Sequence, residues 1–146
     1  MGTQQILLIV LSVIIVGAAV AVGIQMFNSQ GASSARSACI MDMNNFAAMA
    51  IAWYKTPLSL GGAGGTVSTT ATDPNGLDAL GNYLSSKYDA TTTSIKNDNG
   101  VYVIATTADA LTITSKATGY TTTVTPSLQL TYATGGIVVH PDGAAF

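Results

Sequence analysis

The chain has 146 residues and a mass of 14.8 kDa, room for one domain or for one small domain plus an appendage. Five Lys and Arg stand against seven acids, all of them Asp, for a net charge of −2; charged residues are 8% of the chain, against about 25% in ordinary soluble proteins. Five scattered cations exclude a nucleic-acid binder that works through a basic patch. A lone cysteine, Cys39, excludes an internal disulfide and a multi-cysteine metal site, and a 48% apolar content argues against disorder.

No ionisable side chain occurs before Arg36. Ile6 to Ile24 reads ILLIVLSVIIVGAAVAVGI, 19 residues in which Ser12 is the only polar side chain. A bilayer core about 30 Å thick needs roughly 20 apolar helical residues, so this segment can span a membrane. A secretory signal peptide needs a basic n-region, and Met1-Gly2-Thr3-Gln4-Gln5 has none. The orienting charges of a membrane anchor are therefore expected upstream, in a leader since removed. Gly17 and Gly23, with Ala18, Ala19 and Ala21, read in two ways: as ordinary membrane-helix composition, or as small residues that let copies of the helix approach closely.

The helix does not stop at Ile24. Between Gln25 and Lys55 there is no Pro, and Gly31 is the only Gly, a cost of about 1 kcal/mol. Cys39, Met43, Phe46, Ala50 and Trp53 recur at spacings of four and three, one apolar stripe, with Asp42 and Asn45 read as lying off it. Pro57 ends the pattern. The expected helix runs from about Gln4 to Lys55.

Leu58 to Thr72 is a Gly/Ser/Thr-rich connecting loop. Asp73-Pro74 reads as a helix start, N-cap residue then Pro, and Leu77, Leu80, Leu84 and Tyr88 place a short helix at about 74–88. Beyond it the period becomes two. Val101 to Thr106 is apolar on both faces, as in a central strand. Leu111 and Ile113, and then Leu128, Leu130 and Tyr132, alternate with polar residues; Ile137 to Val139 is short and apolar. Turn signals at 97–100, 118–119, 126, 135–136 and 141–143 separate these runs. Four or five antiparallel strands are expected, one face covered by the Cys39 to Trp53 stripe, with Trp53 and Phe46 supplying most of the buried area.

The fold class is thus α+β. Residues 1–55 form a long helix, with 1–24 its protruding membrane or polymer-core segment and its amphipathic half packed on a small antiparallel sheet. Residues 56–146 complete a globular head.

This layout resembles the type IV pilin superfamily: an apolar N-terminal block, a helix ending near Lys55, a Gly-rich loop and a C-terminal sheet, in that order. The resemblance covers the whole chain as architecture and the first fifty-odd residues as motif. Gln5 stands where the family usually has Glu; it can accept a hydrogen bond but offers no Coulomb attraction to a neighbour's N-terminal amine. The family's frequent helix-breaking Pro and its C-terminal cysteine pair are absent. The resemblance implies an extracellular filament subunit used for attachment or motility. Its partners would be copies of itself, the cytoplasmic membrane before assembly, a leader peptidase and an assembly motor. The assembly residues would be Met1, Gln5, Ile6, Leu7, Ile9, Val10, Val13, Ile14, Gly17, Val20, Gly23 and Ile24. A minor pilin or secretion-system pseudopilin is the near alternative; a monomeric membrane-anchored binding domain is the alternative of another class.

No enzyme chemistry is expected. Asp73-Pro74-Asn75-Gly76-Leu77-Asp78 lacks the alternation and closing Glu of a calcium loop; a helix cap is the simpler reading. Asn97 to Gly100 reads as a hairpin turn. His140 has no partner set for a metal, and no nucleophile–base pair is evident. Cys39 lies on the apolar stripe and reads as a buried small residue. The aromatics Phe27, Phe46, Trp53 and Tyr54 are spaced as packing alone would space them. No cofactor or metal is expected. Ser and Thr number 32, explained by strand propensity plus an uncharged polar surface or by O-glycosylation of the head; intact mass separates the two.

Overall fold

The computed structural model describes residues 2–118 and 125–141. Met1, the turn residue Gly119, Thr121 to Thr123 of one threonine cluster, and Asp142-Gly143 lie outside the described residues. The elements are helix α1 (Thr3–Lys55), a 3-10 turn (Leu58–Leu60), helix α2 (Leu77–Leu84) and strands β1 (Tyr88–Asp89), β2 (Ser94–Lys96), β3 (Gly100–Thr106), β4 (Ala110–Ala117), β5 (Ser127–Thr131) and β6 (Gly136–His140). The chain divides into two compact units, Met1–Ser34 and Ala35–Phe146, and α1 contributes to both.

The first unit is helix alone. Its Ile6 to Ile24 block has the composition of a helix that needs no water: aliphatic on every face, no Pro, and backbone bonds satisfied within the segment. Its one polar side chain in the apolar block is satisfied too, since Ser12 Oγ donates to the Ile9 carbonyl at 2.8 Å.

The second unit is an antiparallel sheet covered on one face by α1. Strand order follows chain order, β1 to β6, and every neighbouring pair is antiparallel. Alternation sends Ile95, Tyr102, Ile104, Leu111, Ile113, Leu128 and Leu130 to the core face, where all are buried. From the helix Cys39, Met43, Phe46, Ala47, Ala50 and Trp53 are buried against them. Phe46 meets Tyr102 edge-to-face at 5.3 Å, and Tyr54 stacks on Tyr132 at 5.0 Å, both geometries favoured by the ring quadrupole.

Three expectations are corrected. The sheet has six strands, the additions being β1 and β2, which are too short to display a period. β3 is buried on one face only: Val103 is 46% exposed and Ala105 is exposed. Leu80 and Leu84 of α2 join the α1 stripe in the same core, and the side of the sheet away from the helices has no second layer to bury an apolar residue. The short helix is Leu77–Leu84 rather than 74–88. Asp73 to Gly76 form a turn closed by Gly76 N–H on the Asp73 carbonyl at 2.9 Å. The N-cap is Gly76, in extended conformation and with no side-chain cap bond; the Asp73 carboxylate accepts from Ser68 Oγ instead. Only glycine fits at 76, since a Cβ would lie 2.1 Å from the Thr70 carbonyl oxygen. At the far end Ser85 is extended, and Tyr88 is taken into β1 opposite Ile95.

The Gly-rich loop after Pro57 caps α1. The last carbonyls of a helix lack intrahelical partners. Here Ala63 N–H donates to Trp53 O at 3.0 Å, Gly65 N–H to Tyr54 O at 2.9 Å and Gly64 N–H to Thr56 O at 2.9 Å. The chain can fold back this tightly because Gly61, Gly64 and Gly65 take positive φ, and because a Cβ at Gly62 would lie 2.2 Å from Thr56 O. Gly62→Ala is expected to cost the head about 1–3 kcal/mol, and more than Gly65→Ala, where a Cβ meets open space. Urea midpoints followed by Trp53 fluorescence check the order.

Candidate functional site

The residues expected to act in assembly occupy the first unit. Gln5, Ile6, Leu7, Ile9, Val10, Val13, Ile14, Gly17, Val20, Gly23 and Ile24 are all exposed within the chain. Ile14, near the centre of the block, is 62% exposed. A Cβ placed on Gly17 or Gly23 meets nothing within 4 Å, so contacts inside the chain do not account for either glycine. By length and composition α1 can cross a membrane, and its most apolar window buries nothing within the chain. The thirteen exposed Ile, Leu and Val side chains from Ile6 to Ile24 would each cost roughly 1.5–3 kcal/mol to keep in water. Lipid or other protein must surround them.

In the second unit, the residues expected to pack the helix on the sheet do so: Cys39, Met43, Ala50 and Trp53 are fully buried and Phe46 nearly so. The Trp53 indole N–H donates to Gly61 O at 3.0 Å, tying the packing stripe to the capping loop. Cys39 is a buried free thiol, its Sγ donating weakly to Asn99 O at 3.7 Å.

Asp42 was expected off the stripe and is found at its edge. Its Oδ2 accepts from Tyr102 OH at 2.7 Å and from Asn99 Nδ2 at 2.9 Å. The signal was present in the spacing: position 42 is three residues after Cys39 and four before Phe46, hence on their face. The bonds have a consequence for the other side of the helix. Asp42 is the sole charged residue between Arg36 and Lys55. With it held toward the sheet, the exposed positions Met41, Asn44, Asn45, Ala48, Met49 and Ala52 carry no charge over about three turns. A helix that merely covers a sheet in water ordinarily places charged residues there.

Three tyrosines of the head each hydrogen-bond a neighbouring side chain. Burial, and then the bond to Asp42, drive the Tyr102 phenol far above its ordinary range. Burial, with Asp78 accepting from Tyr88 OH at 3.0 Å, pushes Tyr88 up to about 12. Burial raises Tyr132, whose hydroxyl pairs with Thr106 Oγ1 at 2.8 Å, to about 12. A phenol whose folded-state pKa lies above the unfolded value of about 10 stabilises the fold below pH 10 and loses that contribution as pH climbs toward 12. In a spectrophotometric titration these three tyrosines are expected to ionise together with unfolding above pH 10.

Among the described residues no group of three or more His, Cys, Asp or Glu is placed to hold a metal ion. His140 ends β6, beside Pro141. The Asp73 to Asp78 stretch is a turn leading into α2, and Asn97 to Gly100 is the β2–β3 hairpin, closed by Asn97 N–H on Gly100 O at 2.9 Å.

No protein-family model, curated protein or solved structure matches the chain.

Proposed function

We infer that this chain is the structural subunit of an extracellular helical filament of type IV pilus-like kind, held in the cytoplasmic membrane by Ile6 to Ile24 before assembly. The observation that carries the reading is the surface of α1. The helix is unbroken from Thr3 to Lys55, apolar and exposed from Ile6 to Ile24, and uncharged on its outward face between Arg36 and Lys55. A monomeric anchored domain needs an anchor and a flexible linker; it does not need a charge-free face beyond the membrane. A polymer needs both stretches, because neighbouring copies cover them. Moving the apolar block from lipid into a bundle of identical helices gains little hydrophobic energy, so close packing must hold the bundle, and Gly17, Gly23, Ala48 and Ala52 permit close approach. A heterologous contact that does not close on itself generates an open helix. Leader removal and a motor belong to this proposal, as does use in attachment or motility; abundance separates a major subunit from a minor pilin or pseudopilin.

Surface material sheared from the producing cells and imaged by electron cryo-microscopy is expected to contain thin filaments whose density fits this chain with α1 at the axis. Ala48→Arg, an exposed change to another good helix former, is expected to abolish the filaments while leaving head unfolding within about 0.5 kcal/mol of the native chain. Isolated copies confined to the membrane fraction would favour the anchored-domain reading instead.

A further inference from the structure

The cations that look scattered in the sequence are not scattered in the fold: three of the chain's four lysines come together in the sheet. Lys96 and Lys116 both pair with Val101, one from each side. They lie on the sheet face away from α1, two strands and thus about 10 Å apart. Lys87 precedes Tyr88, the partner of Ile95, and so continues the same row at the β1 edge. All three are exposed. The row lies at the end of the sheet where α1 enters the head, because Cys39 reaches Asn99, the residue just before β3. Arg36 lies one helical turn before Cys39. The acids near this end are Asp98, in the β2–β3 turn, Asp89, exposed on the same face two residues beyond Lys87, and Asp42, whose Oδ2 is engaged by Tyr102 and Asn99. Four bases thus meet three acids, one of them already hydrogen-bonded twice, in a chain that is net negative overall. The remaining lysine, Lys55, sits at the other end of the helical stretch that covers the sheet.

Ten residues, Gln25 to Ser34, lie between the apolar block and the head in the sequence. They carry no charge. Basic clusters this near to a membrane segment are attracted to anionic headgroups over roughly a Debye length. We propose that Lys87, Lys96 and Lys116 form a docking surface for anionic lipid headgroups, which holds the head against the membrane before assembly. This rests on the membrane-borne stage proposed above. It also accounts for the distribution of charge: the basic end of the head is the end at which α1 enters it.

The test uses the full chain in nanodiscs of phosphatidylcholine alone or with phosphatidylglycerol, with amine acetylation rates read residue by residue by mass spectrometry. Acetylation of Lys87, Lys96 and Lys116 is expected to slow about fivefold in the anionic discs at low salt. The rates should recover near 1 M salt, where the Debye length is about 3 Å. Lys55 is the internal control and keeps one rate throughout. Lys96→Gln combined with Lys116→Gln is expected to release Lys87 as well. Equal rates in both lipids, or equal slowing at Lys55, overturn the proposal. So does slowing that follows protein concentration rather than lipid charge, which assigns the row to a second copy of the chain. A chain that does not enter the discs at all removes the membrane-borne stage itself, and this inference with it. Insertion without protection removes the inference alone.

Discussion

Trp53→Ala is expected to destabilise the head by about 3–5 kcal/mol, a large part of the roughly 5–15 kcal/mol that holds an ordinary domain together. Trp53 is fully buried, and three structures meet at its ring: the α1 stripe, the sheet core and the loop that caps the helix. Truncation leaves a cavity beneath that loop and frees the Gly61 carbonyl, which accepts the indole N–H. Trp53→Phe separates the two effects. It keeps most of the ring volume, removes the N–H and is expected to cost about 1–2 kcal/mol. Thermal and urea unfolding followed by circular dichroism would rank the two variants. Equal losses would mean that the hydrogen bond outweighs the packing, contrary to this account.

The second large effect is expected far from the core. Ile14→Asp places a carboxylate near the centre of the apolar block, where insertion of such a charge costs about 2.5–3.5 kcal/mol and the aliphatic gain is lost as well. Ile14 is exposed within the chain, and no core residue depends on it. The variant is therefore expected to leave head unfolding unchanged while losing the membrane fraction and all filaments. Ser12→Ala, which removes only a bond to the Ile9 carbonyl inside the same helix, is expected to change neither. A filamentous Ile14→Asp protein would contradict the placing of this segment in a polymer core. A head that unfolded with it would contradict the independence of the two units.

The contrast between these variants follows what could be read from the residues. Helix α1 was legible throughout, because a long run without Pro and a four–three stripe from Cys39 to Trp53 leave little else to form. The longer strands were legible from alternation. Strands β1 and β2 were not, since two or three residues cannot show a period; a partner strand defines them. The limits of α2 were missed because Asp73-Pro74 is a good cap on paper, while contacts with Ser68 and Thr70, residues of the preceding loop, decide where the chain turns. The apolar look of 101–106 suggested burial on both faces, yet helices packed on one side of a sheet can bury only that face. The uncharged outward face of α1 depends on where Asp42 points, which its helical spacing did encode. The lysine row was beyond reach: positions 87, 96 and 116 become neighbours only through register.

The sheet also bears on how the head is made. Each strand pairs only with the strand before or after it in the chain, so every ladder closes over a short connection, and such local topologies fold fast. A head delivered N-terminus first across a membrane can add hairpin to hairpin as it emerges, with no strand waiting for a distant partner. Its long-range step is the seating of the sheet on α1, and that helix is already complete when the strands arrive.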